Sequence, residues 1–188
     1  MEFTENIAIL TGGPSLRSSW HDGMYTLFRS VWCINKTGRD FLHDYVYYLD
    51  TPERIFGEAQ RKQWPKTMKG YRDRKTMPID GECSTTFPAC FHYIMQNSRE
   101  ETRVFIFGWD CAGDGVVDGK PWQESRNQCE RRLMAKYWQA EKVAGVSGGM
   151  QEWAREKLGF AAAPANQLIK QPPPRTRAEA RAEAEGAL

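Results

Sequence analysis

A Gly-rich segment near the start of the chain, TGGPSL at residues 11–16, combines residue types that can hold a phosphate group. Gly12 and Gly13 allow the backbone to approach a ligand closely, and N–H groups at a helix start attract an anion. Pro14 fixes one backbone dihedral, and the Ser15 hydroxyl can donate a further hydrogen bond. The same composition also occurs in plain strand-to-helix turns, which is the alternative interpretation. The segment is neither a Walker loop nor a GxGxxG dinucleotide motif.

Polar residues also follow three later apolar runs, namely Asn35, Asp50 and Asp110. Amide and carboxylate groups at such positions can hydrogen-bond a base, a ribose or an acceptor hydroxyl, or they can cap their own turns. Asp110 and Asp114 stand in a Gly-rich stretch, DCAGDG, that could coordinate Mg²⁺ bound to a diphosphate or form an acidic turn. We therefore take Asp110, Asp50 and Asp114 as catalytic candidates, with the metal requirement left open.

The elements that must position these residues alternate along the chain. Apolar, β-rich runs predict strands over residues 6–10, 30–34, 45–49 and 103–107. Helical periodicity and capping signals predict helices over residues 84–97, 122–144 and 150–158, the last with Gly159 as its C-terminal cap.

The predicted strands are apolar throughout, as expected where both faces of a sheet are covered. Strands alternating with helices predict an α/β protein, with a single Rossmann-like domain over residues 1–165, a mostly parallel sheet and helices on both faces. In an open parallel sheet ligands gather at the carboxyl ends of the strands. The polar residues above are therefore expected to share one edge.

Two segments differ in composition from this domain. Residues 54–75 carry eight Lys or Arg against two acidic residues, a pattern that suits a nucleic-acid backbone or a diphosphate, or a solvated loop. Residues 166–188 are rich in Pro, Ala, Arg and Glu, and they predict a flexible or singly helical tail.

Composition points to a cytoplasmic protein without a membrane partner. The chain has 188 residues, of which 40% are hydrophobic. Its formal net charge of +2 is too small to indicate a class of binding partner. No apolar run approaches the roughly 18 residues of a membrane helix, and the N-terminus lacks a signal peptide's pattern. The five cysteines are odd in number and contain no CxxC pair, which predicts buried, reduced thiols. They are Cys33, Cys83, Cys90, Cys111 and Cys129.

Taken in order, these motifs resemble a known pattern. The series is ILTGGPSL, a strand ending in Asn35, a strand ending in Asp50, the helix start Ser84-Thr85-Thr86, and Gly108-Trp109-Asp110. It resembles, over roughly residues 6 to 125, the Rossmann-like group of archaeal 6-hydroxymethylpterin diphosphokinases (MptE-like proteins), motility-accessory glycosyltransferases and bacterial CMP-sialic-acid sialyltransferases. Compact proteins of this type also occur in phages and prophages, in which case the location is the host cytoplasm.

The resemblance implies a transferase that uses a nucleotide or nucleotide-sugar donor, either glycosyltransferase-like or diphosphokinase-like. It implies that Gly12, Gly13, Pro14 and Ser15 hold nucleotide phosphate and that Asp110 shapes the donor site. It also implies that Asn35 and Ser84, with Thr85 beside it, contact the nucleotide or donor.

The chain departs from the sialyltransferase pattern in two ways, because no Tyr lies within residues 111–115 and no His follows His92. This departure motivates a second hypothesis, a non-catalytic protein that binds or sequesters a nucleotide. A third hypothesis is a nucleic-acid-binding or nucleic-acid-modifying protein that uses residues 54–75.

Overall fold

A computed structural model describes residues 6–49, 85–111, 116–117, 120–121 and 124–168. Three of the predicted site residues, Asp50, Ser84 and Asp114, lie outside the described residues, as do the basic segment 54–75 and the tail from residue 169.

The described chain forms one five-stranded parallel sheet and a short hairpin. The strands are β1 (Asn6–Leu10), β2 (Ser30–Ile34), β3 (Tyr45–Tyr47), β4 (Arg103–Phe107), β5 (Val116–Val117), β6 (Lys120–Pro121) and β7 (Val143–Val146). The parallel sheet has the order β3-β2-β1-β4-β7, and β5 pairs with β6 in antiparallel fashion. The α-helices are α1 (Leu16–Ser19), α2 (Thr37–Asp40), α3 (Thr86–Asn97), α4 (Glu124–Tyr137), α5 (Gln151–Leu158) and α6 (Ala165–Leu168), with a 3₁₀ helix over Asp22–Leu27.

Successive strand residues alternate between two hydrophobic cores, one on each face of the sheet. Ile9 and Ile106 face a core formed with α3, α4 and α5. Leu10 and Phe107 face a second core, which includes α1 and the 3₁₀ helix. Fully burying one such side chain stabilises the fold by about 1.5–3 kcal/mol, so both faces contribute. The predicted Rossmann-like α/β fold with a parallel sheet is confirmed.

The predicted helix over residues 122–144 is wrong over its last seven residues. Helix α4 ends at Tyr137, and Val143 begins the edge strand β7 instead of extending the helix. The four-residue run VAGV is too short for its hydrophobic periodicity to distinguish a strand from a buried helix. Its pairing with β4 makes it a strand. The third predicted strand is also shorter than expected and ends at Tyr47.

Helix α5 ends as predicted. Its cap Gly159 has a φ of +71°, a left-handed conformation that glycine adopts without steric cost.

The cysteines correct one expectation. Cys33, Cys90 and Cys111 form no disulfide, as predicted, and burial raises the pKa of the Cys90 thiol well above its ordinary value. Cys129 is disulfide-bonded, so the prediction of reduced thiols is wrong there. Separately, no helix in the described ranges has the length and apolar character needed to cross a membrane.

Candidate functional site

The loops after β1 and β4 meet at the point where the strand order reverses. Strand β1 has β2 on one side and β4 on the other, so the residues that follow β1 and β4 flank the same crevice. The Thr11 N–H donates to the Phe107 carbonyl at 3.0 Å. The Thr11 hydroxyl is placed against the carbonyls of Phe107, at 3.1 Å, and Gly108. These bonds fasten the two loops to each other.

The Asp110 carboxylate fills this crevice and accepts three hydrogen bonds. The Ser15 N–H donates to Oδ2 at 2.7 Å, and the Ser15 hydroxyl donates to Oδ1 at 2.7 Å. The Gly149 N–H donates to Oδ1 at 2.6 Å, from the residues that lead into α5. All three distances are short, as is typical of bonds to an ionised acceptor. Asp110 thus joins the loops after β1, β4 and β7.

Glycine at residue 13 is required by the close approach of these loops. A methyl group on Gly13 would lie 2.8 Å from Asp110 Cγ, and closer still to Asp110 Oδ2 and the Gly108 carbonyl. Gly12 differs, because its added methyl group would meet only Thr37 Oγ1, at 3.6 Å, an ordinary contact. The two glycines of the TGGPSL segment therefore have separate roles.

The backbone N–H groups of Gly12 and Gly13 donate no hydrogen bond within the described part of the chain. Gly12 and Pro14 are exposed and Gly13 is half-buried. Gly12 borders Thr37, which follows β2. These two N–H groups are available to an anion.

Asn35 lies at the end of β2 in a left-handed conformation, with a φ of +50°. Its N–H donates to the Tyr47 carbonyl at 3.0 Å, and its carbonyl accepts from the Gly38 N–H at 3.2 Å. The side-chain Nδ2 donates to Thr86 Oγ1 at 3.2 Å, which ties this loop to the start of α3. The side-chain Oδ1 is buried and has no hydrogen-bond partner within the described ranges.

Thr85 occupies the N-cap position of α3 without capping the helix. A threonine there ordinarily accepts a hydrogen bond from one of the first helical N–H groups. Thr85 is only 8% exposed, yet its Oγ1 makes no such bond and has no partner in the described part of the chain. Pro88, in the first turn, lacks an N–H that would in any case be unpaired. The first N–H groups of α3 therefore have no side-chain cap.

A second carboxyl group, that of Glu130 on α4, supports the loop after β4. Its Oε1 accepts from the Trp109 indole N–H at 2.8 Å and from the Cys111 thiol at 3.3 Å. Enclosure of the carboxyl group raises the pKa of Glu130, and the bonds from Cys111 and Trp109 only partly offset this. Burial, with the nearby Glu130, also raises the pKa of the Cys111 thiol strongly, so this thiol stays protonated.

The predicted residues thus divide into two adjoining groups at one edge of the sheet. Ser15 and Asp110 are bonded to each other at the β1–β4 junction. Gly12 lies toward the β2 side, where Asn35 and the start of α3 are linked by the bond to Thr86. Within the ranges described, no cluster of three or more His, Cys, Asp or Glu side chains could hold a metal ion.

Sequence reasoning missed three contributors to this edge. Thr37 borders Gly12, Gly149 donates to Asp110, and Glu130 holds Trp109. Glu130 carried no usable signal, since an acidic residue in an amphipathic helix is expected to face water. Gly149 had one signal, its position just before a predicted helix.

Comparisons of the chain with models of known protein families, with curated proteins and with solved structures find no match. The resemblance to the MptE-like group stays a prediction.

Proposed function

We propose that this chain binds a phosphorylated nucleotide, or a nucleotide-sugar, on the β1–β2 side of the sheet edge. Six buried side-chain polar atoms have no partner within the described ranges, and the two at this edge, Asn35 Oδ1 and Thr85 Oγ1, carry the proposal. Each buried polar group left unpaired costs about 1–3 kcal/mol. A ligand that pairs both atoms recovers this free energy on binding.

The donors at this edge suit phosphate. The N–H groups of Gly12 and Gly13 are open, and α3 begins nearby with no acidic residue in its first turn. The positive end of a helix dipole and open N–H groups together favour a phosphate group over a neutral ligand.

Asn35 suits the sugar of the same ligand. Its free Oδ1 is an acceptor, so it requires a ligand atom that donates a hydrogen bond. In dinucleotide-binding sheets of this strand order, an acidic residue after the second strand accepts a hydrogen bond from a ribose hydroxyl, and Asn35 Oδ1 is an acceptor at the corresponding place. A phosphate near Gly12 and a sugar hydroxyl near Asn35 together describe a nucleotide.

The reaction we propose is transfer of a glycosyl or diphosphoryl group from a nucleotide-activated donor, as the resemblance to the MptE-like group implies. The open N–H groups would stabilise negative charge on the leaving phosphate as the bond to the transferred group breaks. Asp50 or Asp114 would accept the proton of the attacking hydroxyl, and Mg²⁺, when bound, would neutralise phosphate charge.

A second candidate function, nucleotide binding without catalysis, is favoured by the state of Asp110. Its carboxylate already accepts three hydrogen bonds from Ser15 and Gly149, so it is not free to act as a base. Nucleic-acid binding through residues 54–75 and a cytoplasmic location stay predictions.

The test is a thermal-shift panel of nucleotides and nucleotide-sugars, with and without Mg²⁺, on the wild type and Asn35→Gly. Glycine preserves the left-handed backbone and removes the amide, while Asn97→Ala removes an exposed amide at the far end of α3 as a control. A ligand at 100 times its Kd stabilises the wild type by about 2.7 kcal/mol. We expect Asn35→Gly, but not Asn97→Ala, to weaken binding about tenfold. If no nucleotide shifts the wild type, the proposal fails.

Incubation of the best ligand with candidate acceptors then separates the two functions. Product formation supports a transferase, and binding without product supports a sequestering protein.

A further inference from the structure

We infer that the Asp110 carboxylate is an internal anion, which occupies the place of a ligand phosphate at the β1–β4 junction. Two backbone N–H groups and one hydroxyl converge on it, from Ser15 and Gly149. Such an arrangement of N–H groups, one set leading into α5, is what a bound phosphate ordinarily meets. Here the protein supplies the negative charge itself.

The Asp110 carboxylate is in close contact with the loop on one side of the junction. The carboxylate lies against the backbone of Gly13, where even one added methyl group would fall within 2.8 Å of Asp110 Cγ. On the other side an added methyl group on Gly149 would lie 3.5 Å from Asp110 Oδ1, an ordinary contact. On the Gly13 side the junction is therefore occupied by the protein's own carboxylate.

Asp110 is therefore a positioning residue. It holds Ser15 and so keeps the preceding loop in one arrangement, in which the Gly12 and Gly13 N–H groups donate to no acceptor among the described residues. It also excludes phosphate from the β4 side by occupancy and by charge repulsion. The inference that Asp110 directs a ligand toward β2 rests on the proposed function. The inference that Asp110 occupies the junction does not.

The test uses the full chain without nucleotide, so that its outcome is independent of nucleotide binding. Asp110→Ala vacates the junction and leaves three donors without an acceptor. We expect its Tm to fall by roughly 6–15 °C. Sodium formate, a small carboxylate, should restore several degrees to this variant relative to sodium chloride at equal ionic strength.

Asp110→Asn is the matched variant, because its amide fills the junction but places an NH₂ group against the N–H donors. We expect its Tm to fall without specific recovery in formate. Ser15→Ala removes one donor, keeps the junction occupied, and should lower the Tm by about 2–5 °C with no formate response.

Recovery by formate in Asp110→Ala alone supports the inference. Equal responses to formate and chloride in Asp110→Ala would overturn it, as would an unchanged Tm. If Asp110→Ala does not fold, the Tm of Ser15→Ala is the deciding measurement. An unchanged Tm of Ser15→Ala overturns the inference. A lower Tm of Ser15→Ala, together with a refolding yield of Asp110→Ala that rises with formate, supports it.

Discussion

Substituting alanine at Gly13 tests whether the first loop is built around Asp110. The added methyl group would overlap the Gly108 carbonyl and the Asp110 carboxylate, both of which are held by other bonds. The Gly108 carbonyl is part of the backbone and the Asp110 carboxylate is held by three hydrogen bonds, so the loop itself must move.

The size of the effect has two parts. Forcing a methyl group into a filled site costs about 1–3 kcal/mol. Displacement of the loop also weakens the bonds from Ser15 to Asp110, and a hydrogen bond to a charged group contributes about 1.5–3 kcal/mol. We expect a total loss of about 3 kcal/mol, which in a domain of this size lowers the Tm by about 6–12 °C.

Gly12→Ala is the matched control, one residue away in the same loop. Its methyl group would meet only Thr37 Oγ1 at 3.6 Å, so we expect a change in stability of less than about 0.5 kcal/mol. Urea unfolding followed by circular dichroism measures both variants against the wild type. Equal destabilisation by the two substitutions would refute the packing argument, because the loss of either glycine from the loop would then explain the effect.

Two further predictions follow from buried polar groups. Thr85→Val removes a buried hydroxyl that makes no hydrogen bond among the described residues. We therefore expect the substitution to raise the free energy of unfolding by about 1 kcal/mol and to weaken nucleotide binding. A loss of stability would show that the hydroxyl is paired. Burial raises the pKa of Glu130 above its ordinary 4.5, so the stability that this group contributes is full below pH 4.5 and is lost as the pH rises through the raised pKa. The Tm of Glu130→Gln relative to the wild type should therefore increase from pH 4 to pH 8, whereas the exposed Glu152→Gln should show no such trend.

Much of the sheet was predictable because its strands are buried on both faces. Continuous apolar runs such as residues 104–107 are most stable in the interior of a sheet, and polar residues directly after them must reach the carboxyl edge. The position of Asn35 at the end of β2 follows from this alone. Strand β7 was missed because four residues containing a glycine carry little periodic signal, and only its pairing with β4 identifies it.

The contacts made by Asp110 could not be predicted, because they depend on three loops that are distant in sequence. Ser15, Asp110 and Gly149 are separated by 95 and 39 residues and meet only once the strand order is known. A motif such as GGPS specifies donors but not the acceptor that reaches them. The partly enclosed carboxyl group of Glu130 is a similar case, since its burial depends on the packing of α4 against Trp109.

These contacts divide the TGGPSL segment between structure and ligand. If Ser15 bound a ligand phosphate, Asp110 would lose two of its three hydrogen bonds and would face that phosphate at close range. Both changes oppose binding, the first through lost charge-assisted bonds and the second through like-charge repulsion. Gly12 has neither disadvantage, because it is exposed and borders Thr37, on the side of the unpaired Asn35 Oδ1. Thr11 and Ser15 therefore hold the sheet edge in place, and the glycines between them are the part of the segment that the proposed function assigns to a nucleotide.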